Sequence, residues 1–256
     1  MKKIQKSIFL AIILILGTAT ISQNTICAQN NKSISWSIVT IDSTWNPKEV
    51  MNTGKIIAKY KPSIDPLMAV IGQTDKELDK YTPESPLSNL SADIILQAAQ
   101  KYINGKVDIA LTNFGGIRTS IPKGDISAFD ILSVFPFNNK IVVLDIEGKY
   151  VRELMENFAK RGRVEAVSGV EIVINKKVLE KCLIGGAPID DNKIYKLASI
   201  DFLLTGGDSV YALKYASSVI ETGIILRDAV IEYIKKVADS GKKINAEKDG
   251  RVVIIK

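Results

Sequence analysis

The feature that most constrains the fold is a short apolar run that breaks at a pair of glycines. Apolar and polar residues alternate from Val107 to Thr112, which predicts a strand. Asn113 follows the strand, and then come Gly115-Gly116 and Arg118. Glycine accepts positive φ and lets another group approach the backbone closely, and the planar guanidinium of arginine suits phosphate or carboxylate. The stretch predicts either an anion or nucleotide site at a strand end, or a tight turn with a surface arginine.

The first 28 residues have the pattern of an export signal. A basic start, Met1–Lys6, precedes an apolar run from Ile8 to Ala19 that is shorter than a membrane span, and small and polar residues follow up to Ala28. We expect cleavage near Ala28 and a periplasmic or secreted mature protein with no membrane span. A retained anchor is the alternative. Lipidation at Cys27 is a further one, which the bulky Ile26 disfavours.

Charge and cysteine content narrow the possible partners and cross-links. Cleavage near Ala28 would remove Lys2, Lys3 and Lys6 and lower the formal net charge from +6 to +3. Such a mild excess does not predict nucleic-acid binding. Cys182 would be the one remaining cysteine, so the mature fold would depend on its core and not on an internal disulfide.

The chain contains no histidine. This excludes Ser-His-Asp and Cys-His mechanisms and disfavours zinc, iron and copper sites, which depend on imidazole. A carboxylate-only Mg²⁺ or Ca²⁺ site is formally possible, but no acidic cluster has ligand spacing and no phosphate-binding loop of Walker type occurs. We predict no catalytic residue and no metal or other cofactor in this chain.

Strand-like and helix-like patterns intermingle without a regular alternation, which predicts an α+β domain with a mixed sheet flanked by helices. We expect an arm or linker at 29–66 and the main domain at 67–256. Apolar patterns predict strands at 67–72, 107–112, 141–146, 169–174, 194–200 and 251–255. Helical periodicity predicts three helices in the domain, the first with Ser88 as its N-cap, the second after Gly148 and the third from Leu226 to Val237.

Three loops combine polar residues with aromatic rings or glycines: Asn113–Arg118, Pro136–Asn139 and Asp201–Asp208. Phe137 and Phe202 could clamp a flat ring, since stacking on an aromatic side chain contributes ~1–3 kcal/mol per base. Asp208 could accept hydrogen bonds from sugar hydroxyls. Core packing is the alternative for each phenylalanine, and a turn aspartate is the alternative for Asp208.

With these loops in their observed order, residues 67–256 resemble the C-terminal, substrate-recognition domain of the 5′-nucleotidases and UDP-sugar hydrolases. The matching pieces are Asn113–Arg118, Phe135–Asn138 and Asp201–Leu203 with Gly206–Asp208. The strand-glycine-helix segment from Ile141 to Phe158 fits the same order. Any one of these motifs is weak evidence, and together they make coincidence a poor explanation.

The resemblance implies roles for individual residues. Phe137 and Phe202 would grip the base, Asn113 would touch its edge, Asp208 would bind ribose hydroxyls and Arg118 would face the ribose-phosphate side. The substrate-binding residues that the resemblance implies, glycines included, are Asn113, Gly115, Gly116, Arg118, Phe137, Phe202, Gly207 and Asp208. One departure concerns the segment Tyr81–Glu84, which lacks the arginine that the family usually places before the first domain helix.

In enzymes of this family a separate N-terminal domain carries two metal ions, held by Asp, Asn and His. This chain has no histidine and no room for that domain. The resemblance therefore implies a nucleotide-recognition domain that acts in phosphate-ester hydrolysis with a separately encoded metallophosphoesterase. The alternatives are an envelope protein that captures nucleosides or nucleotides without catalysis, and a degenerate domain kept for its surface.

Overall fold

The computed structural model describes residues 51–255. The predicted export signal and most of the predicted arm lie outside this range. Helix α1 spans Met51–Ile64, and a 3-10 turn at Asp65–Met68 leads into the first strand.

Five further helices and eleven strands follow along the described chain. The helices are α2 (Pro86–Ile103), α3 (Ala128–Val134), α4 (Gly148–Arg161), α5 (Asp201–Leu204) and α6 (Leu226–Asp239). The strands are β1 (Val70–Thr74), β2 (Ile109–Thr112), β3 (Gly124–Ser127), β4 (Lys140–Glu147), β5 (Ala166–Ser168), β6 (Val170–Asn175), β7 (Val178–Ile184), β8 (Ala187–Pro188), β9 (Ile194–Ile200), β10 (Ser218–Ile225) and β11 (Val252–Ile255).

The strands form three sheets, and two of these are mixed. The five-stranded sheet has the order β10-β4-β9-β2-β5, in which only β2 and β9 run parallel. A four-stranded sheet has the order β11-β6-β7-β8, with a parallel β11–β6 pair, and β1 pairs with β3. This is the predicted α+β architecture.

The core lies where helices cover the five-stranded sheet. Ile141 to Leu144 of β4 are all buried, as expected for a strand covered on both faces. Helix α4 turns one apolar side inward, including Leu154 and the fully buried Phe158, and ends at Gly162 with φ 67°. Lys160 and Arg161 occupy its last turn, where cations complement the helix dipole.

The sheet topology brings the three loops to one edge. Strands β2 and β9 are parallel neighbours, with Ile109 opposite Leu197, so their carboxyl ends point the same way. The Asn113 loop (residues 113–118) follows β2, and the Asp208 loop (residues 201–209) follows β9. Strand β4 is antiparallel to β9, with Ile141 opposite Ile200, so the segment before β4 reaches the same edge. That segment is the Phe137 loop (residues 135–139).

Several sequence-based boundaries were wrong. Ser85, not Ser88, caps α2; Ser88 is the third helical residue and completes a capping box with Ser85. The first strand begins at Val70 and not at residue 67, because a 3-10 turn precedes it. Strand β3 is not among the predicted strands, because it depends on pairing with β1, and that pairing has no local signal.

Candidate functional site

Two of the three loops are joined by a side-chain hydrogen bond. The Nδ2 of Asn113 donates to Oδ2 of Asp208 over 2.5 Å. Asn113 is buried with 4% of its surface exposed, and its Oδ1 has no hydrogen-bond partner among the described residues. A carboxylate accepts hydrogen bonds only, so this contact fixes which end of the amide faces Asp208. The amide oxygen is left as an unused acceptor.

The glycines of the Asn113 loop provide space and not an unusual backbone conformation. Gly115 and Gly116 are absent from the positive-φ residues of the described chain, so the expectation of positive φ does not apply to them. A Cβ on Gly116 would lie 2.6 Å from Oδ1 of Asn113. A Cβ on Gly115 would lie 3.1 Å from Oδ2 of Asp208. A side chain at Gly116 would therefore displace the amide of Asn113, and one at Gly115 would require Asp208 to shift by a few tenths of an ångström.

Phe137 and Phe202 are both exposed, by 48% and 44%. Core packing is therefore not what these rings do in the described structure. Phe137 lines a narrow cleft of about 10 Å³ together with Asn113 and Gly116. The ring of Phe202 covers Gly207, where a Cβ would collide with it. Each ring thus lies beside one end of the Asn113–Asp208 pair.

Arg118 is exposed at the end of the Asn113 loop. Its backbone N–H donates to the carbonyl of Val134, and its Nη1 donates to the carbonyl of Gly115 over 3.3 Å. Among residues 51–255, no carboxylate lies within ion-pairing distance of the guanidinium. The side chain therefore presents an uncompensated positive charge beside the glycine pair.

Two more cations border the loops, and sequence reasoning missed both. Nζ of Lys80 donates to the carbonyl of Ile117 over 2.5 Å, so a cation from the segment before α2 does reach the Asn113 loop. Arg227, at the start of α6, donates to Oδ1 of Asn138 over 3.0 Å. Tyr81–Glu84 lacks the family's arginine, and Lys80, directly before this segment, places a positive charge at the Asn113 loop. Lys80 and Arg118 at the Asn113 loop, and Arg227 at the Phe137 loop, therefore make these two loops basic.

Two charged residues behind the loops were also missed. Glu165 is buried, with 1% of its surface exposed, and its Oε2 accepts the backbone N–H of Phe114 over 2.8 Å. Its Oε1 pairs with Arg161 over 3.1 Å, and Arg161 also donates to the backbone carbonyl of Asp208 over 2.6 Å. In the sequence, Arg161 has the ordinary signal of a helix C-terminus, and Glu165 has no motif at all.

Residues 51–255 contain neither a metal-binding cluster nor a membrane-spanning helix. In residues 51–255, no group of three or more His, Cys, Asp or Glu side chains is placed to hold a metal ion. The residues present here therefore do not fit the two metal ions of the family's N-terminal domain. No helix within this range is long and apolar enough to cross a membrane.

Known proteins with similar sequences and structures bear on this arrangement. The family model described as "5′-nucleotidase, C-terminal domain" matches residues 70–215, which is more than half of the chain. Protein UshA of Yersinia enterocolitica is 34% identical over 146 residues, covering 56% of this chain and 26% of that protein. The trifunctional nucleotide phosphoesterase protein YfkN of Bacillus subtilis is 31% identical over 202 residues, covering 71% of this chain and 14% of that protein.

A solved structure is also similar to this chain. The crystal structure of a 5′-nucleotidase precursor from Thermus thermophilus matches with a TM-score of 0.70 and 27% identity, covering 82% of this chain and 44% of that one. The chain thus spans less than half the length of each of these relatives. The family match and the shared fold agree with the resemblance carried by the three loops, and the chain belongs to the family of the 5′-nucleotidase C-terminal domain.

Proposed function

We propose that this domain binds a nucleoside or nucleotide at the edge of its five-stranded sheet and holds it for hydrolysis of the phosphate ester by a separately encoded metallophosphoesterase. The observation that carries the proposal is the pair of exposed rings near the Asn113–Asp208 hydrogen bond: Phe137 lines a cleft with Asn113, and Phe202 lies against Gly207, the residue before Asp208. Exposed aromatic rings lose apolar contact with water when a flat ligand stacks on them.

The polar groups fit the remaining parts of a nucleotide. Asn113 lines the cleft and has an unused amide oxygen, which is an acceptor suited to an N–H of a base. Asp208 uses Oδ2 for Asn113, which leaves Oδ1 for ribose hydroxyls. Arg118 and Lys80 supply positive charge for a phosphate, and the guanidinium can do so through two parallel hydrogen bonds. The absence of a side chain at Gly115, Gly116 and Gly207 leaves room for the neighbouring side chains that would bind the ligand.

Support for the substrate class also comes from the relatives. Their names describe a nucleotide phosphoesterase and a 5′-nucleotidase precursor, and those proteins are considerably longer than this chain. In our proposal the present domain contributes binding energy and orientation, and the metal ions and the attacking nucleophile belong to the partner phosphoesterase. The mature protein acts in the periplasm or outside the cell, and export depends on the signal at residues 1–28.

A thermal-shift screen followed by calorimetry tests the binding step. The panel contains adenosine, guanosine, uridine and cytidine with their 5′-monophosphates. A ligand at 100 times its Kd should stabilise the folded state by ~2.7 kcal/mol. The matched control is Phe137→Ala/Phe202→Ala, which should remain folded and lose the response. Absence of any shift across the panel in the unmodified chain would contradict the proposal.

A second assay separates recognition from catalysis. The purified chain should not hydrolyse AMP with Mg²⁺, Mn²⁺, Ca²⁺ or Zn²⁺, and hydrolysis should appear when a metallophosphoesterase encoded beside it is added. Metal-dependent hydrolysis by the chain alone, free of contaminating enzyme, would refute the division of labour. Binding of nucleosides with no productive partner would instead indicate the capture protein.

A further inference from the structure

The two ligand-facing loops are joined behind the site as well as in front of it. In front, Asn113 donates to the carboxylate of Asp208. Behind, Arg161 donates Nη1 to the backbone carbonyl of Asp208 over 2.6 Å and Nη2 to Glu165 over 3.1 Å. Glu165 accepts the N–H of Phe114, the residue next to Asn113, over 2.8 Å. The four contacts form a closed ring that passes through both loops.

The members of the ring are held in place by their surroundings. The carboxylate of Glu165 is buried and also faces Arg163, whose Nε lies 3.6 Å away. The guanidinium of Arg161 lies 5.2 Å from the ring centroid of the buried Phe158, which restrains the arginine through a cation–π contact. A buried carboxylate with two cations and a backbone donor is compensated for its loss of water. Neither Arg161 nor Glu165 lines the cleft beside Asn113.

The backbone of the Asp208 loop depends on such restraint. Asp208 and Ser209 have φ of 50° and 62°, a left-handed conformation that costs a non-glycine residue about 1–2 kcal/mol. A strained conformation persists when its surroundings determine it. The bond from Arg161 to the carbonyl of Asp208 is a charge-assisted contact at this strained residue.

We propose that Arg161 and Glu165 are positioning residues that couple the Asn113 loop to the Asp208 loop, so that the two loops are ordered together and present Asn113 and Asp208 to one ligand. The inference rests on the proposed function for the identity of that ligand, and on the ring of contacts for the coupling itself. Disrupting the ring at Arg161 should therefore loosen a loop that Arg161 does not touch, through Glu165.

Hydrogen exchange measured by mass spectrometry tests the coupling without any ligand. Arg161→Gln should speed exchange in peptides covering 113–118 and in those covering 206–210, because both ends of the ring are released. Arg161→Lys should spare the 113–118 peptides more than the 206–210 peptides, since an ammonium can keep the pair with Glu165 but lacks the fork that serves both partners. Faster exchange confined to 206–210 in Arg161→Gln would overturn the proposal.

Arg152→Gln is the matched control. Arg152 lies on the same helix, pairs with Asp191 over 2.7 Å and donates to the carbonyl of Ile189 over 2.7 Å, outside the three loops. The substitution removes the same chemistry and should leave exchange at 113–118 and 206–210 unchanged. If Arg161→Gln and Arg152→Gln changed the exchange rates of those peptides equally, Arg161 would have only a general structural role, and the proposed coupling would be overturned.

Calorimetry with adenosine and AMP gives the functional readout. Arg161→Gln and Glu165→Gln should each lower the affinity for adenosine by about tenfold. The double variant should lose much less affinity than the product of the two single losses, because the two residues belong to one ring. The double variant also avoids an unpaired buried charge, so it should fold if a single variant does not. Additive losses would overturn the proposal. If the unmodified chain binds neither probe, the proposed function fails, and the exchange data still decide whether the loops are coupled.

Discussion

The Asn113 loop and the Asp208 loop each contain a Gly-Gly pair, and the two pairs serve different purposes. Gly115 and Gly116 do not adopt positive φ, and they are needed because the side chains of Asn113 and Asp208 fill the space that a Cβ would take. In the second pair, Gly206 has φ 89° and begins a stretch in which Asp208 is also left-handed. The first loop needs glycine for room, and the second needs it for conformation as well.

The difference shows how each loop is ordered. The Asn113 loop starts from a buried strand end, and its position is set by hydrogen bonds to buried partners such as Glu165. The Asp208 loop is largely exposed and is set by its turns, with Ser209 N–H donating to the carbonyl of Gly206. We expect substitution of the exposed Arg118 in the first loop to change ligand affinity more than stability. In the second loop we expect both to change.

The largest effect on affinity should come from Arg118, the charged end of the first loop. Arg118→Ala should weaken binding of the 5′-monophosphates more than binding of the matching nucleosides, by ~1.5–3 kcal/mol of binding free energy. The reason is that a charge-assisted hydrogen bond is lost only where a phosphate is present. Arg118→Lys should not restore the loss in full, since an ammonium lacks the planar fork. Calorimetry with adenosine and AMP measures the difference.

Arg152→Ala is the control for that measurement, because its partners Asp191 and Ile189 lie outside the three loops. It should change neither affinity. If Arg118→Ala weakened adenosine and AMP equally, the guanidinium would act on the base or ribose, and the assignment of the first loop to the phosphate would be wrong.

The next effect concerns the two rings. Phe137→Ala and Phe202→Ala should each reduce affinity by ~1–3 kcal/mol. Each should cost well under the ~3–5 kcal/mol of stability expected for a core phenylalanine such as Phe158, because both rings are about half exposed. The losses should couple in the double variant if the rings grip one base, and Phe→Trp or Phe→Tyr should keep much of the binding.

Denaturant melts and calorimetry on the same proteins check this, with Phe158→Ala as the buried reference. A large loss of stability with unchanged affinity would mean that the rings pack against protein and not against ligand. Phe202 covers Gly207, so a somewhat larger stability cost at Phe202 than at Phe137 would fit the distinction between the loops.

The sequence predicted the α+β class and the strands that carry the loops, because a buried strand such as β4 is visible in the local sequence as an apolar run, here Ile141–Ile146. It could not predict strand β3 or the exposed edge strand β10, whose formation depends on pairing with distant partners. In the site, motifs identified Asn113 and Asp208 as candidates. Nothing in the sequence indicated that these two would bond to each other, because 95 residues separate them.

The same limit explains why Glu165 was missed. A single glutamate near a strand start has no distinguishing pattern, and its importance comes from burial against Arg161 and Phe114 in the folded chain. For Gly115-Gly116, the expectation of positive φ was wrong, whereas the expected close approach of another group was confirmed. A dipeptide signals a turn, but it does not show which side chains approach it, here Asn113 at Gly116 and Asp208 at Gly115.

A smaller effect, on stability, separates the cost of backbone strain from the cost of a steric contact at Gly206. Gly223, outside the loops, is the reference for backbone strain alone. Gly223→Ala should cost about 1–2 kcal/mol, since Gly223 has φ 75° and no atom lies within 4 Å of the position that a Cβ would take. Gly206→Ala should cost more, because it adds a contact of 2.8 Å with the ring of Tyr211 to a similar backbone strain. Gly116→Ala adds no backbone strain, but its Cβ would lie 2.6 Å from Oδ1 of Asn113, so it should displace that amide and lower the affinity for adenosine, at a smaller cost in stability than Gly206→Ala. Equal stability costs at Gly116 and Gly206 would remove the distinction between the two loops.

The smallest expected effect is also the most direct check on the Asp208 loop. Ser209 is exposed with φ 62°, so Ser209→Gly should relieve about 1–2 kcal/mol of backbone strain, while the greater freedom of glycine in the unfolded chain costs roughly 0.5–1 kcal/mol. We expect a net stabilisation of about 0.5 kcal/mol, seen as a higher denaturation midpoint with an unchanged slope. Adenosine affinity should stay the same or fall slightly, since a looser loop presents Asp208 less firmly. If Ser209→Gly destabilised the protein, the serine side chain would support the loop. Contacts, and not backbone conformation, would then explain the second pair of glycines, as they explain the first.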